Sequence, residues 1–233
     1  MALFEREQDE FGSDAGTRAL SVIAVENDFV AGVYEKLAKT YDIFFGRTLN
    51  AGRVLAYQQM DIQPGDRVLE VGVGTGINTS LYPRNCAVTG IDLSSSMLDI
   101  ARQRVAQERL HHVRLLEMDA ATLSFPDDSF DIVYAPYLIN VVSDPLKVVR
   151  EMKRVCRPGG KIIFVNHFRS ENFVLSRLER AVSPLTVHIG FKSDFDLSGF
   201  LTQAELQSAT IHHISSARFW SVITYLNPDR TTA

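Results

Sequence analysis

Val68-Leu69-Glu70-Val71-Gly72-Val73-Gly74-Thr75-Gly76 is an apolar run carrying one acid that passes straight into three glycines at alternate positions. A short apolar run of this kind reads as a buried parallel strand turning sharply into a helix. Gly72, Gly74 and Gly76 let the main chain turn tightly and bring bare backbone against a ligand. Such a loop says little by itself, because nucleotide enzymes of many kinds use one. The next apolar strand, Ala87 to Ile91, ends in Asp92, about twenty residues past the loop, where a carboxylate can bind a ribose diol. Loop and acid together point to a nucleoside-type cofactor.

Outward from this core the chain alternates strand and helix. Arg67–Val71 reads as a strand, and Gly76–Leu81 as the start of a helix. Ala87–Ile91 is a second strand, and Ser94 or Ser95 caps a helix running to about Arg109. Val113–Glu117 and Phe130–Tyr134 are further strands. Pro145–Arg157 is a helix with proline near its start, closed by Pro158-Gly159-Gly160, and Lys161–Val165 follows as a fifth strand. This alternation predicts a Rossmann-like, doubly wound α/β fold with a mostly parallel sheet. After helices over Glu171–Val182 and near Leu197–Leu206 come two strands without a helix between them, Thr210–Ile214 and Trp220–Leu226. They pair antiparallel at one edge. Before the first strand, residues 26–62 carry helical spacing (Val30, Val33, Tyr34, Leu37, Ala38) interrupted at Gly46, giving an N-terminal helical cap. Residues 1–25 read as an acidic, loose N-terminus, 26–227 as the single domain and 228–233 as a tail.

Composition narrows the class. The chain has 233 residues and a formal net charge of −4, which argues against non-specific nucleic-acid binding. The first thirty residues hold seven acids against Arg6 and Arg18, so the remainder is close to neutral. Its basic residues cluster between Lys147 and Lys161, on what reads as a solvated outer helix face or a membrane contact. The two cysteines, Cys86 and Cys156, sit in apolar contexts and read as buried free thiols of a reducing compartment. The absence of a signal-peptide pattern or spanning run implies a cytoplasmic protein, at most peripheral on a membrane. The paired histidines His111-His112 and His212-His213 face opposite ways on a strand, so no metal site is expected.

Taken together, the chain resembles the class I S-adenosylmethionine-dependent methyltransferases. The matching motifs are Val68 to Gly76, Gly90-Ile91-Asp92-Leu93-Ser94, Met118-Asp119-Ala120, Phe125-Pro126-Asp127-Asp128-Ser129-Phe130-Asp131, and Arg157-Pro158-Gly159-Gly160-Lys161. Within that superfamily it is most similar to the soluble bacterial phosphatidylethanolamine N-methyltransferases. The carrying residues are Tyr41-Asp42-Ile43-Phe44-Phe45-Gly46-Arg47, the Gly72–Ile77 form of the loop, and Gly190-Phe191-Lys192-Ser193-Asp194-Phe195. The ubiquinone and menaquinone methyltransferases are close relatives in the Phe125–Asp131 segment.

The resemblance implies S-adenosyl-L-methionine as cofactor and S-adenosyl-L-homocysteine as product. Gly72, Gly74 and Gly76 would meet the methionyl part, leaving backbone N–H groups for its carboxylate. Glu70 would lie near the amino end, with a satisfied buried carboxylate as the plain alternative. Asp92 would hold the ribose hydroxyls, Leu93 and Met97 would pack on the nucleoside, and Asp119 with Ala120 would bind the adenine. Core packing stays open for Met97, and a turn role for Asp119. Ala135 and Tyr137 follow the fourth strand beside the methyl donor. Tyr34 and Tyr41 belong to the cap that closes over the cofactor. Tyr41, Tyr137 and His167 are the candidates for accepting a proton. Phe44, Arg180, His188 and Lys192 would bind a phospholipid headgroup at a membrane surface, although for any single one of the three basic residues solvated surface is the stronger reading. No nucleic-acid partner and no metal are implied, and the oligomeric state stays open. A quinone-type or small-molecule acceptor is the alternative activity, and a non-catalytic cofactor-binding module is the third.

Overall fold

A computed structural model describes residues 50–167, 197–214 and 220–228. Helix α1 (Asn50–Met60) precedes strand β1 (Arg67–Val71), a 3-10 turn (Thr79–Leu81), β2 (Ala87–Asp92) and α2 (Ser95–Gln107). Then follow β3 (Val113–Glu117), β4 (Phe130–Pro136), α3 (Pro145–Val155), β5 (Cys156–His167), α4 (Leu197–Gln203), β6 (Thr210–His213) and β7 (Trp220–Leu226). The strands form one seven-stranded sheet in the order β3-β2-β1-β4-β5-β7-β6. Strands β1 to β5 are parallel, and β7 runs antiparallel to both β5 and β6. The doubly wound, mostly parallel sheet with an antiparallel edge is the architecture that the alternation predicts.

Each face of the sheet is buried by helix. Leu69, Val71, Val133, Ile162 and Phe164 share a core with Val148, Val149, Met152 and Val155 of α3 and Phe200 of α4. On the other face Val68, Ile132, Tyr134, Ile163, Val165 and Val222 pack with Ala56 and Met60 of α1. Side chains alternate along a strand, so Glu70 falls on the α1 face between Tyr134 and Gly90, its register partners on β4 and β2. A buried acid in an apolar layer is an exception that needs polar partners.

Four elements differ from the sequence expectation. The helix predicted from Gly76 shrinks to the three-residue turn Thr79–Leu81. Thr79 returns both its N–H and its hydroxyl to the Gly76 carbonyl, and Pro83 forbids continuation two residues past the turn. Helix α3 stops at Val155, and β5 begins at Cys156 rather than Lys161. There Gly159 sits at φ 69°, a Cβ on Gly160 would lie 2.8 Å from the Asp131 carbonyl, and the β4–β5 register shifts between Phe130 and Ile132. The Pro-Gly-Gly segment is therefore an irregular start to the strand rather than a cap on the helix. The Asn227 side chain does the capping, donating to the Lys153 and Cys156 carbonyls at 3.0 and 2.7 Å. Helix α4 ends at Gln203, and the helix expected over Glu171–Val182 lies outside the described residues.

Asp131 joins β4 to its surroundings. One carboxylate oxygen accepts the Arg67 backbone N–H at 2.8 Å and its Nε–H at 3.1 Å, and the other accepts Arg157 Nε–H at 2.7 Å. Burial works against the charge, but the bonds from Arg67 and Arg157 outweigh it and hold the carboxyl at about 2. A folded-state pKa below the unfolded one means stability that is present above about 3.9 and lost as pH falls towards 2. Asp131→Asn should cost roughly 1–2 kcal/mol at pH 7 by urea denaturation, and the loss of stability between pH 4 and 2 should be shallower in the variant.

Candidate active site at the carboxyl edge of the sheet

The order β3-β2-β1-β4 reverses chain direction of travel between β1 and β4, and doubly wound sheets bind ligands in the crevice at that point. A cleft opens there, walled by the glycine loop, the ends of β2 and β3, the segment after β4 and Arg53 from α1. One end of it is apolar with acids at the rim. Leu93, 42 % exposed, lies beside Met97 and Met118, and Asp92, Asp119 and Ala120 complete this wall.

The loop is held by its own hydrogen bonds. Gly72, Gly74 and Gly76 have φ of 78°, 54° and 74°, the left-handed region that glycine tolerates. Gly72 N–H donates to the Ile91 carbonyl at 2.8 Å and Gly76 N–H to the Val73 carbonyl at 3.0 Å. Gly74 N–H donates to Asp92 Oδ2 at 2.8 Å. These bonds correct the expectation that the three glycine N–H groups are left for a ligand carboxylate. Only Gly72 and Gly74 line the cleft. Gly76 serves packing, since a Cβ there would lie 2.9 Å from that of Ala101 on α2. At Gly74 a Cβ would meet nothing within 4 Å, so the bare backbone faces open space.

Asp92 has its second oxygen on Ser94 N–H at 2.9 Å. Burial raises its pKa, and backbone bonds from Ser94, Gly74 and Leu93 counter that rise. Ser94, rather than Ser95, caps α2 by accepting Met97 N–H. Asp119 turns one oxygen to Ala121 N–H at 2.8 Å and still lines the cleft, so the turn and ligand readings coexist there.

The other end of the cleft is built from β4 and α1. Ala135 is wholly buried in the α3-side core and forms no part of the cleft wall, against the expectation that it stands beside the methyl donor, whereas Pro136 and Tyr137 line the cleft. Tyr137 is a non-glycine residue at φ 56°, with its N–H on the Val165 carbonyl. Strain of this kind persists only where the surroundings impose it. Its ring meets Trp220 edge to face at 5.3 Å, and the Arg53 guanidinium lies over it at 5.8 Å. Its hydroxyl is packed against Gly52, where a Cβ could not fit.

Glu70 lies behind the cleft rather than in its wall. Asn78 Nδ2 donates to Oε1 at 2.6 Å and the Tyr82 hydroxyl to Oε2 at 2.7 Å. Burial pushes the carboxyl up to about 7, against the lowering effects of Asn78, Tyr82 and the Arg53 charge. Burial also raises the Tyr82 and Tyr134 phenols well above their ordinary range, so both keep their protons. Sequence reasoning missed Arg53, Asn78 and Tyr82. Asn78 and Tyr82 follow the glycine loop closely enough to have been considered. Arg53 carried no signal beyond being a cation in the small-residue stretch Ala51-Gly52-Arg53 of a helix.

Tyr34, Tyr41, Phe44, Arg180, His188 and Lys192 lie outside the described residues. The His167 backbone closes β5 opposite Trp220, at the same edge of the sheet as the cleft.

Comparison with known proteins agrees with this geometry. A family model described as a methyltransferase domain matches residues 69–164. The phosphatidylethanolamine N-methyltransferase of Cereibacter sphaeroides is 41% identical over 184 residues, 78% of this chain and 90% of its own length. The demethylmenaquinone methyltransferase of Halalkalibacterium halodurans is 36% identical over 141 residues, 56% of this chain and 57% of its own. Among solved structures, Haemonchus contortus phosphoethanolamine N-methyltransferase 2, in complex with phosphomonomethylethanolamine and S-adenosylhomocysteine, aligns with a TM-score of 0.70. It is 18% identical, covering 87% of this chain and 60% of that one, and shares the fold.

The residues present fit S-adenosylmethionine, a nucleoside with a charged amino-acid tail. The acids Asp92 and Asp119 stand at the nucleoside end, Leu93 and Met97 supply apolar contact, and the space over Gly74 admits a close approach. Asp92 braces the loop and lines the cleft, so Asp92→Asn should weaken S-adenosylhomocysteine binding about 10- to 100-fold by isothermal titration calorimetry. Circular dichroism should show the fold retained.

Proposed function

The chain belongs to the S-adenosylmethionine-dependent methyltransferases, in the family of the bacterial phosphatidylethanolamine N-methyltransferase, and from that premise we propose that it methylates the amine nitrogen of phosphatidylethanolamine and of its mono- and dimethyl forms, towards phosphatidylcholine. The observation carrying this reading is the 41% identity that extends over 90% of the Cereibacter sphaeroides enzyme. The demethylmenaquinone enzymes supply the second reading, a quinone-type acceptor, on the strength of 36% identity over a shorter stretch.

When bound, S-adenosylmethionine supplies a methyl group that its sulfonium already makes electrophilic. The protein's part is alignment and exclusion of water. Asp92 and Asp119 fix the nucleoside end, and Pro136 and Tyr137 stand where the acceptor nitrogen approaches. An ammonium has no lone pair. An amine of ordinary pKa near ~10.4 must give up its proton first, at a cost of roughly 4–5 kcal/mol at neutral pH unless burial lowers it. Tyr41, Tyr137 and His167 are the proposed acceptors of that proton, directly or through water. Arg53 already lies over the Tyr137 ring, so the aromatic faces proposed to hold the methylated ammonium are those of Tyr34, Tyr41 and Phe44. Arg180, His188 and Lys192 are proposed for the lipid phosphate. No helix among the described residues is long and apolar enough to cross a membrane. A phospholipid substrate would be met at a membrane surface, and we propose a cytoplasmic protein that binds there peripherally.

Incubation with methyl-labelled S-adenosylmethionine and liposomes containing phosphatidylethanolamine should place label in mono-, di- or trimethylated lipid. Label in an added demethylated quinone and none in lipid would select the second reading.

A further inference from the structure

Asn78 occupies the cap position of the 3-10 turn but makes no side-chain cap bond there. Its carboxamide is used in another way. Nδ2 donates to Glu70, while Oδ1 is buried with no hydrogen-bond partner among the described residues. The residue is only 5 % exposed and yet forms part of the cleft wall. A buried carbonyl oxygen without a donor is costly, and a ligand N–H in the cleft would satisfy it.

Glu70 decides which end of the carboxamide faces that ligand. An ionised carboxylate only accepts hydrogen bonds, so it draws the Asn78 amide nitrogen to itself and turns the oxygen away. Its other oxygen is held by the Tyr82 hydroxyl. We propose that Asn78 Oδ1 receives the α-ammonium of the bound S-adenosylmethionine, and that Glu70 is a positioning residue that sets the orientation of Asn78 without touching the ligand. This rests on the cleft being the cofactor site. It assigns a binding residue to the amino end of the cofactor and converts Glu70 from a contact into a support.

Protonated, Glu70 can donate to Asn78 Oδ1, and the carboxamide then presents its NH₂ to an ammonium, which it repels. The groups facing Glu70 are Arg53 from α1, Tyr134 from β4, Asp92 at the end of β2, and Asn78 and Tyr82 beyond the loop. The phenols stay protonated, Glu70 is held at about 7, and burial raises the Asp92 carboxyl as well. Since the ligand selects ionised Glu70, and burial holds that carboxyl at about 7 without ligand, affinity is full above pH 7 and falls below it.

The test compares S-adenosylhomocysteine with its analogue lacking only the α-amino group, by calorimetry on the full chain. The ratio of their affinities removes the share of Asp92, which faces both ligands alike. Wild type should prefer S-adenosylhomocysteine by more than about tenfold at pH 8, and the preference should shrink towards equality at pH 6. Asn78→Leu and Glu70→Gln should abolish the preference at both pH values. In Glu70→Gln the Tyr82 hydroxyl takes the new carbonyl oxygen, which leaves an NH₂ to invert Asn78. A preference retained in Asn78→Leu overturns the assignment of the ammonium site. A wild-type preference unchanged between pH 8 and pH 6 overturns the role of Glu70, and that measurement needs no variant to fold. Wild-type protein that binds neither ligand overturns the cofactor site itself, and this inference with it.

Discussion

The hydrogen bond from Gly74 N–H to Asp92 ties together everything that makes this cleft. Parallel pairing of β1 with β2 sets Val71 opposite Ile91, so the next residue of β2 stands beside the start of the glycine loop. Its carboxylate then bridges the loop to the first turn of α2 through Gly74 and Ser94. Removing those two N–H groups would leave a buried carboxylate without compensation and a left-handed loop without an anchor. A carboxylate oxygen has more than one lone pair, so the same group that braces the loop can still accept ribose hydroxyls.

The two faces of the sheet divide the remaining work. The α3 face is apolar from Leu69 to Phe164 and contributes stability with little chemistry. The α1 face carries a polar layer, Arg53, Glu70, Tyr82 and Tyr134, in the same stretch where it approaches the cleft. Burying such groups is unfavourable unless each finds a partner, and Glu70 finds two neutral donors within hydrogen-bond distance. The buried Tyr134 hydroxyl finds none among the described residues, so the layer is no source of stability. Tyr137 belongs to it as well, with its backbone held in the left-handed region between Trp220 and Arg53.

Arg154 fixes the opposite wall. Its guanidinium bonds Glu151, Asp127 and the carbonyls of Leu123 and Phe125, while Glu151 accepts Leu123 N–H. This web pins the segment between β3 and β4 to α3 and so sets where Asp119 and Ala120 stand. The Phe-Pro-Asp-Asp-Ser-Phe-Asp motif read in the sequence is part of this brace, and Asp131 at its end anchors Arg67 and Arg157.

Local pattern carried the architecture. Period-two and helical spacing, with Gly and Pro as punctuation, located the strands and the edge hairpin, because burial of an apolar face is written in residue order. The same reading located Asp92, Asp119 and the glycines of the loop, whose roles follow from standing at strand ends. It failed where a partner comes from afar. The Gly72 and Gly74 N–H groups looked free because their acceptors, the Ile91 carbonyl and the Asp92 carboxylate, are brought up only by strand pairing. Ala135 looked like a site residue, but it shares the α3 face with Val133 and is buried in that core, and Arg53 had no signal until α1 packed against Tyr137. Whether Glu70 is a contact or a support was also undecidable from its position in β1. Sequence alone determined which residues alternate, turn and stand at strand ends, since those depend on neighbours along the chain. Tertiary structure decided which polar atoms are consumed by the fold and which are left for a ligand, because a hydrogen bond depends on distance in space.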